Sequence, residues 1–539
     1  MKRNYKYTKH ITGKKLSVVL VSVMALALTA CTKNFEKYNT NPNSLSSSQS
    51  ETIAATAFGP MEQAIYSNYQ RAQNLSADGY AGYMQPGIAF SGDHNNLTYA
   101  MVDGWNSTGF NDQYTLVMAP VHAIATTTPP LKATNPEMWA VALLIQVEAM
   151  DRVTDRFGPV PYNKVATSLT TAPYDDQQTI YQTFFKQIDT AVTNLKTYIA
   201  ANPGKTSLGA NDYIYAGNYA EWLKFANSLR LRLAMRIVKV DATTAQAQAV
   251  KALTDAGGTL LTAADDAAIA QTGGRENDLH QISGDWNNTN MSAAIASYMI
   301  GYNDPRLAIY FQPAQAGAGS AYAGQFLGIR AGTLIGASQS TYSDFANLNT
   351  TQTFQFSTPQ LIMTAAEVWF LKAEAALRGW TASSVQADYE AGISASMNQW
   401  GATIGNYLSD GTSTEANFTD PVNAANNATA LSTITIKWDN SATQEQQLER
   451  IITQKWLAIF PDGQEAWADY RRTGYPKLFT VANNFSGGLI NTDTQVRRLP
   501  YPSTEYTTNA TAVNNAVKLL GGADNGGTRV WWDVNKPNF

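Results

Sequence analysis

Apolar side chains recur at helical spacing in several separated segments, and this pattern constrains the fold more than any other feature of the chain. The clearest case is residues 218–238, where Leu231 and Met235 add a second apolar edge, as if the helix lay between neighbours. Its main stripe consists of Trp222, Phe225, Ala226, Leu229, Leu233 and Ile237. Further helices are predicted at about 136–153, at about 176–200, and from Thr358 as N-cap to Ala375.

Long loops rich in Gly, Asn, Ser and Thr separate these helices. The longest are residues 87–111, 272–290, 312–353 and 406–440. Loops of this length inside a compact domain are usually functional, or they indicate that a helix or strand has been missed. No alternating apolar run is strong enough to predict a large sheet. The chain is therefore predicted to be all-α, a solenoid-like scaffold of helix pairs with long loop elaborations.

The N-terminus has the features of an export signal. A basic stretch ends at Lys15, and residues 16–30 (LSVVLVSVMALALTA) are almost wholly apolar but too short to span a bilayer. Small residues precede Cys31, the only cysteine of the chain, in a pattern that resembles the bacterial lipobox. We expect residues 1–30 to be a lipoprotein signal peptide and Cys31 to be lipidated. A free thiol behind an ordinary secretory signal is the alternative.

The segments after the signal have different compositions. Residues 31–50 are polar and are expected to form a lipid-anchored tether, followed by a single domain at 51–539. The first 30 residues hold six of the 38 Lys and Arg and no acid, so their removal leaves 32 basic against 42 acidic residues. Phosphate backbones would repel such a chain, so nucleic acid is excluded as a partner.

Signatures of catalysis and of bound cofactors are missing from the sequence. His94, His122 and His280 lie far apart, and no second thiol or His-Glu-x-x-His pattern completes a metal site. The sequence lacks a Gly-x-Ser-x-Gly elbow and a Walker-type phosphate loop. Acidic pairs such as Glu367 and Glu374 lie on one predicted helix, whereas glycosidases place their two carboxylates across a cleft. We therefore predict no catalytic residue, no metal site and no cofactor.

Several stretches together resemble the SusD/RagB family of nutrient-binding outer-membrane lipoproteins, closest to its SusD-like branch. They are residues 39–43 (NTNPN), 154–162 (TDRFGPVPY), 172–177 (APYDDQ), 222–236 (WLKFANSLRLRLAMR), 304–307 (DPRL), 373–380 (AEAALRGW), 454–456 (QKW), 465–476 (EAWADYRRTGYP) and 497–502 (RRLPYP). With the start at Cys31, the resemblance runs nearly to Phe539.

The resemblance implies a fold and a function. The family fold is a scaffold of tetratricopeptide-like helix pairs beneath loop elaborations. Members are not enzymes. They sit at the outer membrane, facing the cell exterior, and cap a SusC-like TonB-dependent transporter, to which they deliver oligosaccharides or, in RagB-like members, peptides. The motif residues themselves are interpreted as architectural, with Arg230, Arg232 and Arg236 paired with acids.

Candidate ligand contacts are sought among aromatic side chains on the polar loops. Aromatic rings cover the apolar faces of sugars, and amides satisfy sugar hydroxyls at modest cost. Most tryptophans fall on helical stripes or in motif-like stretches, and Trp400 and Trp438 are ambiguous. Trp105 and Trp286 remain, each on a long polar loop, in regions from which the family tends to assemble its ligand sites. The Gly-rich stretch 316–328 is expected to form a third wall. The candidate ligand-binding residues are Asn95, Asn96, Tyr99, Trp105, Asn106, Trp286, Tyr322 and Phe326.

The sequence leaves several functions open. A glycan-binding lipoprotein that passes its cargo to a transporter is the first hypothesis, and a peptide-binding one is the second. A lipid-anchored glycosidase and a purely structural lid on a transporter are further alternatives. Binding without turnover would separate the first two from the glycosidase, and the absence of any ligand would favour the lid.

Overall fold

Helices account for most of the structure and follow one another along the chain with few strands between them. The computed structural model describes residues 47–126, 130–165, 171–315, 321–336 and 341–539. The expected signal peptide and Cys31 lie outside the described residues, as does most of the expected tether, although a helix begins at Ser47. Residues 316–320 of the Gly-rich stretch also lie outside. Ala54–Phe539 forms one compact unit.

The α-helices of the described residues are numbered in chain order. They are α1 (Ser47–Ala55), α2 (Phe58–Ala64), α3 (Asp103–Gln113), α4 (Ala119–Thr126), α5 (Leu131–Thr134), α6 (Pro136–Phe157), α7 (Gln177–Ala201), α8 (Tyr219–Arg236), α9 (Ala242–Thr254), α10 (Ala293–Gly301), α11 (Leu307–Tyr310), α12 (Ala365–Leu377), α13 (Val385–Gln399), α14 (Gln444–Ala458), α15 (Gly463–Thr473), α16 (Ser503–Thr508) and α17 (Ala510–Leu519). Turns of π-helix occur at Gln70–Asp78, Tyr114–Met118 and His280–Asp285. Short 3-10 helices occur at Asn96–Thr98, Gly209–Asn211, Ala263–Asp265, Thr341–Asp344, Tyr407–Ser409 and Ala424–Asn426.

Neighbouring helices pack in pairs. Helix α6 packs against α7, α8 against α9, and α12 against α13, while α7 also contacts α8 and α12 contacts α14. The helix starts follow the local sequence, since the Asp176 carboxylate accepts from Thr179 N at 2.8 Å and Asn218 caps α8. Trp222 is 1% exposed in the shared core. The structure thus confirms the predicted all-α scaffold of helix pairs with long loops.

One helix start was predicted wrongly. The sequence places the N-cap at Thr358, but the next residues form the strand Gln360–Met363, and the helix begins only after Thr364. The Thr364 hydroxyl caps that helix by accepting from Glu367 N at 3.3 Å. Pairing of the strand with Ala267–Ile269 overrides the local helix signal of Thr358-Pro359.

The strands of the described residues are short and form two small antiparallel sheets. They are β1 (Met84–Gln85), β2 (Ala267–Ile269), β3 (Asn290–Met291), β4 (Phe311–Gln312), β5 (Asn347–Leu348) and β6 (Gln360–Met363). The first sheet has the order β1-β3-β5-β4, and the second pairs β2 with β6. In the first, Met84 lies opposite Met291, Asn290 opposite Asn347, and Phe311 opposite Leu348.

The three arginines of α8 are buried, and each pairs with at least one acidic side chain. The ion pairs are Arg230 with Asp189 at 2.6 Å, Arg232 with Glu148 at 3.1 Å and with Glu367 at 2.6 Å, and Arg236 with Asp155 at 2.8 Å. These contacts confirm the interpretation of the arginines as architectural. Among the described residues, no helix combines the length and the apolar character needed to cross a bilayer.

Candidate ligand-binding site

The four-stranded sheet brings together the roots of the three loops that the sequence singled out. Strand β1 ends where the first loop (residues 87–111) begins, and β3 begins where the second loop (residues 272–290) ends. Strands β4 and β5 lie near the two ends of the third loop, residues 312–353. Because these strands are neighbours in one sheet, loops far apart in the sequence start from the same place in the fold.

The loops also contact one another directly. Ser343 Oγ of the third loop donates to the Gly87 carbonyl of the first at 2.9 Å, and Asn287 Nδ2 of the second donates to the Ser343 carbonyl at 3.1 Å. A Cβ on Gly87 would lie 2.6 Å from the Cα of Ser343, so only glycine permits this approach. The first and third loops meet again where Ala89 N donates to the Gly336 carbonyl at 3.3 Å.

The asparagines of the first loop that were predicted to contact ligand form hydrogen bonds within the loop itself. Asn95 caps the 3-10 turn Asn96–Thr98, and its Nδ2 donates to the carbonyls of Phe90 and Gly92. Asn96 Nδ2 donates to Asn106 Oδ1 at 2.9 Å, and Asn96 Oδ1 accepts from Val102 N at 2.8 Å. All three asparagines are buried. Their role as ligand contacts stays a prediction, which this burial does not favour.

Contrary to the expectation from the sequence, Tyr99 and Trp105 are not exposed aromatic residues on a loop. Tyr99 is buried, with a left-handed backbone (φ 66°), and burial raises the pKa of its hydroxyl. Trp105 is half-buried and lies in the first turn of α3, so its placement on a loop was wrong. Helix formation continues through Asn106, whose buried amide bonds back to the loop. A ligand role for either ring stays a prediction.

The third loop has a small hydrophobic core of its own. Its buried members are Ala314, Ile329, Ile335, Tyr342 and Phe345. Tyr322 packs edge-on against Phe345 at a centroid distance of 6.3 Å, and its hydroxyl donates to the Pro421 carbonyl at 3.2 Å. Phe326 is half-buried against the main core. The Tyr342 hydroxyl donates to Asp420 Oδ2 at 2.8 Å, and burial together with that carboxylate raises the pKa of Tyr342.

Trp286 is the predicted aromatic residue that is most available to a ligand. It is 48% exposed and directly follows the π-helix His280–Asp285. Its backbone N–H donates to the Gln281 carbonyl at 3.0 Å, which closes the turn. Asp285 is exposed and Asn287 half-exposed on either side of it. The ring therefore lies on the surface beside groups that can hydrogen-bond to hydroxyls.

A second exposed aromatic residue near Trp286 was missed by the sequence reasoning. Phe356 is 48% exposed, and its ring meets the edge of His280 at a centroid distance of 6.2 Å. The Phe356 carbonyl accepts from Asn277 N at 2.8 Å, which holds the two segments together. Phe356 lies just beyond the loop defined from composition, so only the tertiary contact identifies it. His280 begins the π-helical turn that Trp286 follows, and Phe356 packs against His280, so we call these three residues the tryptophan patch.

Comparison with known proteins agrees with this architecture. The family model described as "Susd and RagB outer membrane lipoprotein" matches residues 34–533. No curated protein sequence matches the chain significantly.

Solved structures match nearly the whole chain. A chitin-binding SusD homolog from Flavobacterium johnsoniae is 41% identical, with a TM-score of 0.86 over 90% of this chain and 100% of that one. A SusD homolog from Bacteroides vulgatus is 37% identical, with a TM-score of 0.85 over 91% and 99% of the two chains. A SusD-like protein from Bacteroides thetaiotaomicron is 32% identical, with a TM-score of 0.83 over 90% and 99%.

These relatives share the helical, tetratricopeptide-like scaffold, which confirms the predicted fold. Proteins of this kind are outer-membrane binding lipoproteins rather than enzymes. A family model that covers residues 34–533, and structural relatives matched over about nine-tenths of the chain, lead to one conclusion: the chain belongs to the SusD-like family of outer membrane lipoproteins.

Proposed function

We propose that this protein binds oligosaccharides at the cell surface and delivers them to a SusC-like TonB-dependent transporter, without altering them. The observation that carries the proposal is the exposed ring of Trp286 among polar groups, on the loop assembly of a chain 41% identical to a chitin-binding SusD homolog. An exposed aromatic face covers the apolar face of a sugar ring, and neighbouring amides and carboxylates satisfy its hydroxyls.

The loop assembly supports a binding role because it is built in advance. Hydrogen bonds through Ser343 join the three loops, and the small core around Phe345 stabilises the third one. A surface that is already ordered loses less conformational entropy when a ligand binds. The tryptophan patch at the edge of this assembly is therefore expected to need little rearrangement, so that sugar contacts contribute directly to affinity.

The membrane attachment belongs to the same proposal. Cys31 would carry the lipid that anchors the protein in the outer membrane, with the loop assembly facing the exterior. Several acyl chains hold a protein on a membrane stably where one does not. Mass spectrometry of the protein from its native host tests this assignment, since an unmodified Cys31 would contradict it. Co-purification with a large β-barrel protein tests the transporter partner.

We expect Trp286→Ala to weaken oligosaccharide binding about tenfold, the effect of losing roughly 1.4 kcal/mol of stacking and apolar contact. The measurement is isothermal titration calorimetry of the purified chain with a series of chito-oligosaccharides, cello-oligosaccharides as comparison, and a set of short peptides. The Phe539→Ala variant removes an aromatic ring that is 47% exposed but belongs to the C-terminal segment, and it should bind like the wild type.

The outcomes of this titration separate the alternatives. Equal affinity of Trp286→Ala and wild type for the best oligosaccharide would remove Trp286 from the site. If the protein binds peptides but no glycan, its cargo is a peptide and not the proposed oligosaccharide. Release of shorter sugars during incubation would indicate a glycosidase. If neither glycans nor peptides bind and the protein co-purifies with the barrel, the remaining function is that of a structural lid on the transporter.

A further inference from the structure

Three possible metal ligands, one of them His280 of the tryptophan patch, lie together next to Trp286 in the chain. Glu276, His280 and Asp285 each offer one atom, and these atoms all lie within 4.8 Å of one another. His280 Nδ1 contacts Glu276 Oε1 directly. Glu276 and His280 are half-buried and Asp285 is exposed, so the cluster opens to solvent on one side. The cluster shares His280 with the tryptophan patch and Asp285 with the polar neighbours of Trp286, so its test must measure metal binding in the absence of sugar.

The π-helical turn brings Asp285 to the other two residues. In an α-helix of 3.6 residues per turn, residues five apart point about 140° away from each other. The π-helix has i to i+5 hydrogen bonds, so that residues five apart lie one above the other. His280 and Asp285 are the first and last residues of this turn. Glu276 approaches from the preceding segment, four residues before His280.

The start of the turn is held in place by a buried amide. Asn277 is 1% exposed, and its Oδ1 accepts from the backbone N–H groups of Leu279 at 2.9 Å and His280 at 3.3 Å. Its Nδ2 donates to the Thr358 carbonyl at 2.8 Å. The edge of the His280 ring packs against Phe356. These contacts fix the His280 backbone and limit its ring before any ion binds, which is the support that a metal ligand needs.

The ligand set suits a divalent transition metal. An imidazole nitrogen and carboxylate oxygens are ligand types that zinc takes, and three protein ligands leave a fourth position open for water. Bonds of about 2.1 Å place two ligand atoms of a tetrahedral ion about 3.5 Å apart. The three ligand atoms lie within 4.8 Å of one another, so binding of an ion requires His280 and Glu276 to move apart and the exposed Asp285 side chain to turn toward them.

We propose that Glu276, His280 and Asp285 bind one zinc ion, or a transition metal of the same chemistry, next to Trp286. The ion would join the two ends of the π-helical turn and thereby fix the segment from which the Trp286 side chain projects. A direct hydrogen bond between His280 and Glu276 is the simpler explanation of two of the three positions. Asp285 distinguishes the two explanations, because the hydrogen bond does not need it and the metal does.

Calorimetric titration with zinc chloride tests this proposal on the full chain, purified without an affinity tag. A Cys31→Ser background removes the only thiol of the protein. We expect saturable binding of one equivalent, weakened at least tenfold in both Asp285→Asn and His280→Ala, because loss of a ligand costs at least as much as loss of an outer partner. His94→Ala, which removes an exposed histidine of another loop, should bind zinc like the background protein.

Each result decides the question without reference to sugar binding. Asp285 is exposed, so Asp285→Asn should leave the fold intact even if His280→Ala does not. Unchanged affinity in Asp285→Asn would leave only the histidine and glutamate pair and would overturn the three-ligand site. The absence of saturable zinc binding in the Cys31→Ser protein would overturn it as well. A rise in melting temperature with zinc, lost in Asp285→Asn, would support it independently.

Discussion

Replacing Arg232 with alanine should lower the free energy of unfolding by about 3–5 kcal/mol, the cost of breaking a buried ion pair by removing one partner. Arg232 is 2% exposed, and its guanidinium bonds to Glu148 at 3.1 Å and to Glu367 at 2.6 Å. It also donates to the Ile362 carbonyl at 3.1 Å. Its removal leaves two buried carboxyl groups, from different helices, without their shared cation.

The pH dependence of this variant provides a second readout. Burial already raises the pKa of Glu367, although Arg232 and Lys455 oppose the shift. Without Arg232 the folded-state pKa of Glu367 should rise further above its unfolded value. A carboxyl group whose pKa is higher in the folded than in the unfolded protein stabilises the fold at pH values below its unfolded pKa. This stabilisation is lost as the pH rises through the folded-state pKa. The loss in free energy of unfolding caused by Arg232→Ala should therefore be smaller near pH 4 and larger toward neutral pH.

Urea unfolding followed by circular dichroism measures both effects. Arg275→Ala is the matched control, because Arg275 is 27% exposed and pairs with Asp278 at 3.1 Å near the surface. Solvent-exposed pairs contribute about 0–1 kcal/mol, so this half-buried pair should contribute clearly less than the fully buried Arg232 does. If Arg232→Ala lost no more stability than Arg275→Ala, the buried network would not have the structural role that we assign to it.

The sequence predicted that Arg232 pairs with acidic side chains, but it did not predict which ones. An arginine on an otherwise apolar helix needs an acid when it is buried, so the pairing of Arg232 could be expected. Its partners Glu148 and Glu367 lie 84 and 135 residues away, on helices whose relative positions follow only from the whole fold. The helices predicted at 176–200 and 218–238 begin close to the observed starts of α7 and α8, whereas the start predicted at Thr358 was wrong because strand pairing with β2 prevails there.

The candidate site, too, could be predicted only in part, because some of its features depend on tertiary structure. Composition identified the three loops, and it identified Trp286 as an aromatic residue among polar neighbours. It could not identify the sheet that joins the loops, because strands such as β1 and β3 are two residues long and carry no alternation. Phe356 and the pairing of His280 with Asp285 also depend on tertiary structure and on an unusual helical turn.

We expect Gly463→Ala to lower the free energy of unfolding by about 1–3 kcal/mol, as overpacking of a dense core does. Gly463 is the first residue of α15 and packs against Asp78, the last residue of the π-helix Gln70–Asp78. An added Cβ would lie 2.5 Å from the Cα of Asp78 and 2.3 Å from its Oδ1. The first of these contacts is with backbone, so a side-chain rotation cannot relieve it.

Asp78 itself has little freedom to move away. It is fully buried and accepts hydrogen bonds from the Tyr69 hydroxyl at 3.0 Å, Gln73 Nε2 at 3.1 Å and Asn74 Nδ2 at 3.3 Å. Burial raises the pKa of Asp78 to about 7, despite these donors. A shift of its backbone would break contacts that compensate the burial of a carboxyl group, so the cost of Gly463→Ala should fall at the upper end of the range.

Gly104→Ala is the matched control for this substitution. Gly104 is the second residue of α3, and an added Cβ there meets nothing within 4 Å. Alanine is favoured over glycine in a helix by up to about 1 kcal/mol, so this variant should be slightly more stable than the wild type. The two glycines should therefore differ in the sign of the effect, measured by urea unfolding under the same conditions. A Gly463→Ala protein as stable as Gly104→Ala would mean that α15 can move away from Asp78, and that the close packing of these segments is not required for stability.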